Sequence, residues 1–229
     1  MENKKLEQLL LTVQKPGRYS GGEINSVIKD KNKVDVRFAF CFPDTYEIGM
    51  SHLGMKILYS LFNEREDIWC ERVFAPWIDF EKVMRDNGIP LFALESRDSI
   101  ADFDFIGFTL QYEMCYTNVL NMLDLAGLPL KSAERKELSP LVVAGGPCVC
   151  NAEPLAEFVD IFFLGEGEEV DLEIIDLYKK HKARGSTKQE FLIEAAKIEG
   201  VYVPSLYDVE YNEDNTVKSI NALCGAPAV

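Results

Sequence analysis

The chain has 229 residues, of which 47% are hydrophobic and 27% charged, the make-up of an ordinary globular protein and length enough for one generous domain. A chain of this size buries enough apolar surface to need neither a metal nor a disulfide for stability. Lys+Arg number 24 against 38 Asp+Glu, a formal net charge of -14, which leaves no basic excess to release counterions from a nucleic-acid backbone.

Residues 1–11 carry an apolar stretch too short and interrupted for a signal peptide. No window approaches the roughly 20 apolar residues of a membrane helix. The expectation is a cytoplasmic protein with no membrane or nucleic-acid partner. The six cysteines lie mostly in apolar surroundings and fit a reducing compartment. None shows the Cys-x3-Cys-x2-Cys spacing of an iron–sulfur cluster site or paired Cys-x2-Cys motifs for zinc.

Residues 1–33 read as an irregular lead-in, polar and turn-rich over 15–33. Residues 34–42 (VDVRFAFCF) are a β-branched and aromatic run that predicts a strand, stopped by Pro43 and Asp44. A helix is expected over 51–63, with Leu53, Ile57, Leu58 and Leu61 on one stripe. A second strand over 69–75 and a helix over 76–87 follow, with Gly88 as the C-cap. A short extended piece is expected over 90–94, a third main strand over 103–110 and a helix over 116–126. A fourth strand over 141–144, a short helix near 154–158 and a fifth strand over 161–164 come next, and a helix then runs to about His181.

Strands alternating with helices at this spacing predict an α/β, doubly wound, Rossmann-like or flavodoxin-like domain over 34–184, with a mainly parallel sheet and helices on both faces. Residues 185–229 read as a helix followed by a small β-rich C-terminal appendage and a linker. In that stretch 201–203 and 206–211 look like a hairpin or strand pair.

Ligands of open parallel sheets bind beyond the carboxyl ends of the strands. The informative segments are therefore Asp44-Thr45-Tyr46-Glu47-Ile48-Gly49 after the first strand and Thr109-Leu110-Gln111 after the third. Gly145-Gly146-Pro147 follows the fourth, and Gly165-Glu166-Gly167-Glu168 the fifth. Each one alone reads as a tight turn or a helix start; four at successive strand ends form a pattern. His52, at the start of a helix, reads as a surface or capping residue, and His181 as structural. Cys148 and Cys150 read as small residues beside a turn, being too few for a closed zinc site.

Ala144-Gly145-Gly146-Pro147, Asn151-Ala152-Glu153-Pro154, Val159-Asp160 and Gly165-Glu166-Gly167-Glu168 resemble the tail of the cobalamin-binding domain that precedes many radical SAM cores. The segment from Phe42 to Gly54, with Val73-Phe74-Ala75-Pro76-Trp77 and Leu110-Gln111-Tyr112-Glu113, is similar to a narrower family of such two-part proteins. The resemblance implies an N-terminal domain that positions a corrinoid or a substrate for its own C-terminal radical SAM core. That core would supply a 4Fe-4S cluster and S-adenosylmethionine, and this segment alone would have no catalytic residue. Asp44, Tyr46 and Gly49 would form one wall of a cobalamin site, and Thr109, Gln111, Gly145, Gly146, Gly165 and Glu166 would hold the nucleotide tail.

The resemblance departs at two places, and in one of them the third-strand motif Ser-x-Leu is only half kept, as Thr109-Leu110-Gln111. Tyr46 stands where many such domains carry the histidine that ligates cobalt, and a phenol must first lose a proton near pH ~10 to do so. Two other readings therefore stay open: a cofactor-free domain that docks substrate or a partner, and a free-standing flavodoxin-like or nucleotide-binding domain. Against the last, the first strand is followed by neither Gly-x-Gly-x-x-Gly nor a P-loop.

Overall fold

The computed structural model describes residues 3–228. Met1 and Glu2, the start of the expected lead-in, and Val229, the end of the expected linker, lie outside the described residues. The strands are β1 (Val36–Phe42), β2 (Ile68–Phe74), β3 (Phe105–Thr109), β4 (Leu141–Gly145), β5 (Ile161–Phe163) and β6 (Val201–Tyr202). They form one sheet in the order β2-β1-β3-β4-β5-β6. The first five are parallel and β6 runs antiparallel on β5. Strand order reverses between β1 and β3, the position at which sheets of this order bind ligands. A separate antiparallel pair, β7 (Tyr207–Tyr211) and β8 (Val217–Ala222), is the expected C-terminal appendage.

Seven α-helices lie among the described residues, besides short 3-10 turns: α1 (Asn3–Leu10), α2 (Tyr46–Ser51), α3 (Leu53–Glu64), α4 (Ile78–Asn87), α5 (Tyr116–Leu125), α6 (Gly167–Arg184) and α7 (Lys188–Ala195). They cover both faces of the sheet, which is why every residue of β1, β2 and β3 is buried, the charged Arg37, Glu71 and Arg72 among them. One core packs Leu6 and Leu10 of α1, Phe80 and Met84 of α4, and Val119 and Met122 of α5 under Ala39, Cys41, Ile106 and Val142. The other packs Phe62 of α3, Tyr178 of α6 and Phe191 of α7 over Phe38, Phe40, Phe105 and Val143.

The structure differs from the sequence-based expectation at several places, and the short helix expected near 154–158 is only a 3-10 turn at Glu153–Leu155. Residues 3–10 of the lead-in are helical rather than irregular, because Leu6 and Leu10, one turn apart, reach the first core. The chain after β1 turns helical at Tyr46 instead of continuing as a loop, and breaks at His52 before α3. Residues 201–203 do not pair with 206–211. Val201 and Tyr202 extend the main sheet, Pro204 starts a 3-10 turn, and the hairpin begins only at Tyr207. With Phe191, Leu192 and Ala195 buried in the second core, α7 and β6 pack as layers of the α/β body rather than as an appendage.

The lead-in is clamped to the sheet edge by a buried arginine. Arg72 of β2 donates to Glu95 at 2.6 Å and to Glu23 at 2.9 Å. Two salt bridges and the hydroxyl of Ser26 at 2.8 Å satisfy a side chain that is only 7% exposed. A buried guanidinium is tolerable only when paired in this way.

Candidate functional site

The loops after β3, β4 and β5 converge. A cleft of about 570 Å³ opens at the strand ends, lined by Thr109 and Gln111 after β3, Gly145 and Gly146 at the end of β4, and Gly165 and Glu166 after β5. Its walls are Phe38 and Phe40 of β1 and Phe163 of β5. Six of the nine residues singled out from the sequence therefore meet in one place.

The other three do not face the cleft. Asp44 accepts a 2.6 Å hydrogen bond from the Tyr112 hydroxyl. Tyr46, the first residue of α2, packs edge-on against Phe74 and donates to Glu23 at 2.9 Å. Burial, reinforced by the Glu23 carboxylate, pushes its phenol up to about 12. It is a neutral donor in the Arg72–Glu23 clamp. Gly49 is covered by aromatic side chains: a Cβ there would stand 2.3 Å from the Phe74 ring. The wall assigned to Asp44, Tyr46 and Gly49 is thus displaced. The onset of α2 at Tyr46 turns that segment toward the lead-in, and β1 contributes its phenylalanines instead.

His52 was expected to be a surface or capping residue. It does cap α3, its Nδ1 accepting from the Met55 N–H at 3.1 Å, and it also lines the cleft. With Nδ1 accepting, the ring proton is assigned to Nε2, which donates to Gln111 Oε1 at 3.0 Å. Gln111 Nε2 in turn donates to Thr109 Oγ1 at 2.7 Å. The Thr109 hydroxyl hydrogen and the second amide hydrogen of Gln111 remain for a ligand.

The capping role is testable by itself. His52→Ala should lower stability by about 1 kcal/mol, and His52→Asn should recover most of it, since asparagine also accepts from the first turn. Urea denaturation of the two variants measures the difference; equal midpoints would remove the cap from the account.

Sequence reasoning missed Asp171. It lines the cleft from α6, is 6% exposed, and its Oδ1 has no hydrogen-bond partner. Burial, with Glu168 one turn away, pushes its carboxyl up to about 8. The signal was present: Asp171 occupies the register of the buried stripe Ile174, Ile175 and Tyr178, where an apolar residue belongs. His181, by contrast, is structural as expected, buried between helices with Nε2 2.7 Å from Glu194.

No Lys or Arg lines the cleft, while Glu166, Glu168 and Asp171 do. That balance disfavours a phosphate, which wants free N–H groups and positive charge at a helix start. Cys150 lines the cleft and Cys148 sits in the same 3-10 turn. Among the described residues no group of three or more His, Cys, Asp or Glu is placed to hold a metal ion. No described helix is long and apolar enough to cross a membrane.

Comparison with known proteins adds parentage to this geometry. Residues 54–204 match the family described as radical SAM proteins, N-terminal. An uncharacterized protein of Methanocaldococcus jannaschii is 29% identical over 161 residues, covering 66% of this chain and 30% of that relative. The chain therefore spans about a third of the length of the relative it matches. No solved structure matches it.

Proposed function

Because the chain belongs to the radical SAM N-terminal family, we propose that it holds an organic ligand in the strand-end cleft, a corrinoid or part of a substrate, and presents it to a radical SAM core in the full-length protein. That core would supply the 4Fe-4S cluster and S-adenosylmethionine. The observation that carries this reading is the convergence of the β3, β4 and β5 loops on one cleft at the point where strand order reverses. A cofactor-free docking domain would be favoured by aromatic side chains filling the strand ends. Tyr46 and Tyr112, the candidates for that, are held by Glu23 and Asp44 instead.

The residues fit the organic part of a corrinoid and not its metal. The His52 imidazole has one nitrogen on the Met55 N–H and the other on Gln111, and the Tyr46 phenol keeps its proton. Neither side chain is placed to ligate cobalt. What the chain offers is aromatic surface, a hydroxyl and an amide in fixed orientation, and glycines that let a flat body approach the backbone.

The test is titration of the purified full-length protein and its Gly145→Leu variant with hydroxocobalamin. Gly145 is the site to fill, because a Cβ there finds its nearest neighbour, Phe163, at 3.9 Å, an ordinary contact. The expected result is saturable binding at tens of micromolar or better, weakened about tenfold or more in Gly145→Leu at unchanged melting temperature. Binding indifferent to Gly145→Leu would place the ligand elsewhere and end the reading. A wild type silent to hydroxocobalamin would remove the corrinoid and leave the substrate. In that case, small molecules retained through purification and lost from Gly145→Leu are the readout.

A further inference from the structure

We propose that the cleft is built for a ligand bearing a cationic nitrogen, an ammonium or amidinium group on an apolar or aromatic body, with Asp171 as its counter-ion. This rests on the reading of the cleft as a ligand site and adds the chemical class of the ligand.

Three independent observations point the same way. A carboxyl group 6% exposed, with Oδ1 unpartnered, is costly to keep in a folded protein, and here it lines the cleft. Space is kept beside it: a Cβ on Gly167 would stand 3.0 Å from Asp171 Oδ2, so the glycine leaves that oxygen open to approach. Finally, the lining contains three carboxylates and no Lys or Arg, with the phenylalanines Phe38, Phe40 and Phe163 as walls. Aromatic rings and carboxyl groups together suit a cation, whereas an anion would meet repulsion from Glu166 and Glu168.

The titratable groups around Asp171 are Glu166 and Glu168 at the start of its own helix, His52 at the head of α3 and Cys150 in the 3-10 turn after β4. Leu58 of α3 covers the other side, a Cβ on Gly167 lying 3.4 Å from its Cδ1. None of these supplies a positive partner in the free protein, so burial and Glu168 hold the proton on Asp171 up to about pH 8. A bound cation reverses this balance: the carboxyl ionises, and its proton leaves to solvent as the ligand binds. Affinity for a cation therefore rises with pH through neutrality. A ligand that merely accepted a hydrogen bond from the protonated acid would show the opposite slope.

The free protein should carry the same signature. Its Asp171 carboxyl is raised from its ordinary value of 3.8 to about 8, so between those values the native state holds a proton that the unfolded chain has released. Stability from this group is then full below pH 4 and is lost as pH rises toward 8. Asp171→Asn removes that dependence.

The experiment titrates the full-length protein with benzylamine, benzyl alcohol and benzoate, followed by ligand-observed NMR and calorimetry. Benzylamine should bind about tenfold tighter than benzyl alcohol, with benzoate weakest, and should tighten between about pH 6 and pH 8 with release of a proton seen as a buffer-dependent heat. Asp171→Asn should abolish both the preference for the amine and the pH slope while leaving benzyl alcohol unchanged. Equal binding of amine and alcohol, amine binding that weakens with pH, or no amine binding at about 10 mM would overturn the proposal. Should Asp171→Asn not fold, the ranking of the three probes and the pH slope of the wild type decide alone. Gly145→Leu separates the two readings. Probes lost from that variant but showing no preference for the cation defeat only this inference; a benzylamine site that survives it defeats the cleft as well.

Discussion

Asp160→Ala is expected to lower the domain's stability by about 3–5 kcal/mol, measured by urea denaturation at neutral pH. Asp160 is 1% exposed and is the hub of a buried network. It accepts from the Val142 N–H of β4 at 2.7 Å, from the Ser132 hydroxyl, from Arg135 at 3.3 Å and from Lys188 at 2.7 Å. Arg135 and Lys188 are themselves 6% and 7% exposed, so removing the carboxylate leaves two buried cations with no counter-charge. Arg135 would keep the carbonyl oxygens of Pro129, Leu130 and Phe158 but no counter-charge, and its Nε already lacks a partner. Lys188 has an escape. Burial already lowers its pKa, with Asp160 the main opposing influence, and without Asp160 the amine sheds its proton more readily. The deficit should therefore shrink as pH rises toward 9, and Asp160→Asn, which still accepts from Val142, should cost less than alanine. A loss below about 1 kcal/mol at pH 7 would mean that the network is not a unit.

The same residue shows how the sequence encodes the body of the fold and where it falls silent. The parallel strands were legible because burial on both faces makes them continuous apolar runs, and residues 34–42, 103–110 and 141–144 stand out for that reason. The role of Asp160 was not, since a lone acid before a strand looks like a turn residue until Arg135 and Lys188, distant in sequence, are seen beside it. Pairing partners were likewise out of reach. Val201-Tyr202 is too short for its periodicity to say whether it joins β5 or the next strand.

At the cleft, glycine carried the information. Gly145, Gly146 and Gly165 after β4 and β5 mark backbone that must turn sharply or be approached closely, and Thr109 and Gln111 came with them. The segment after β1 misled because its residues align with a ligand loop, yet in this chain Tyr46 opens a helix and spends its hydroxyl on Glu23. Asp171 was hidden by the opposite fault. An acid in the first turns of a helix reads as dipole compensation, and only its register on the stripe of Ile174 and Tyr178 marks it as buried.

Gly146→Ala is expected to cost about 2–4 kcal/mol and to deform the cleft, because backbone strain and a backbone clash act together there. Gly146 has φ +102°, where an L side chain is strained, and a Cβ would lie 2.7 Å from the Leu110 carbonyl oxygen and 3.2 Å from Thr109 Oγ1. Neither neighbour can yield cheaply. The Leu110 carbonyl accepts from the Cys148 N–H at 3.1 Å and the Leu110 N–H donates to Gly145 at 2.7 Å, so the loops after β3 and β4 are laced to one another. Neighbouring glycines separate the two contributions. Gly165 shares the positive φ, at +120°, but has nothing within 4 Å of a Cβ, so Gly165→Ala should show strain alone, about 1–2 kcal/mol. At Gly145 neither strain nor clash arises, and Gly145→Ala should stay within about 0.5 kcal/mol of wild type. The expected order of stability loss is thus Gly146, Gly165, Gly145. Ligand affinity should follow a different rule, because Gly146→Ala alone displaces the Thr109 hydroxyl at the end of the His52–Gln111–Thr109 chain. A Gly165→Ala variant less stable than Gly146→Ala would show that the lacing of β3 to β4 is loose, and with it the hydroxyl that the ligand is meant to find in place.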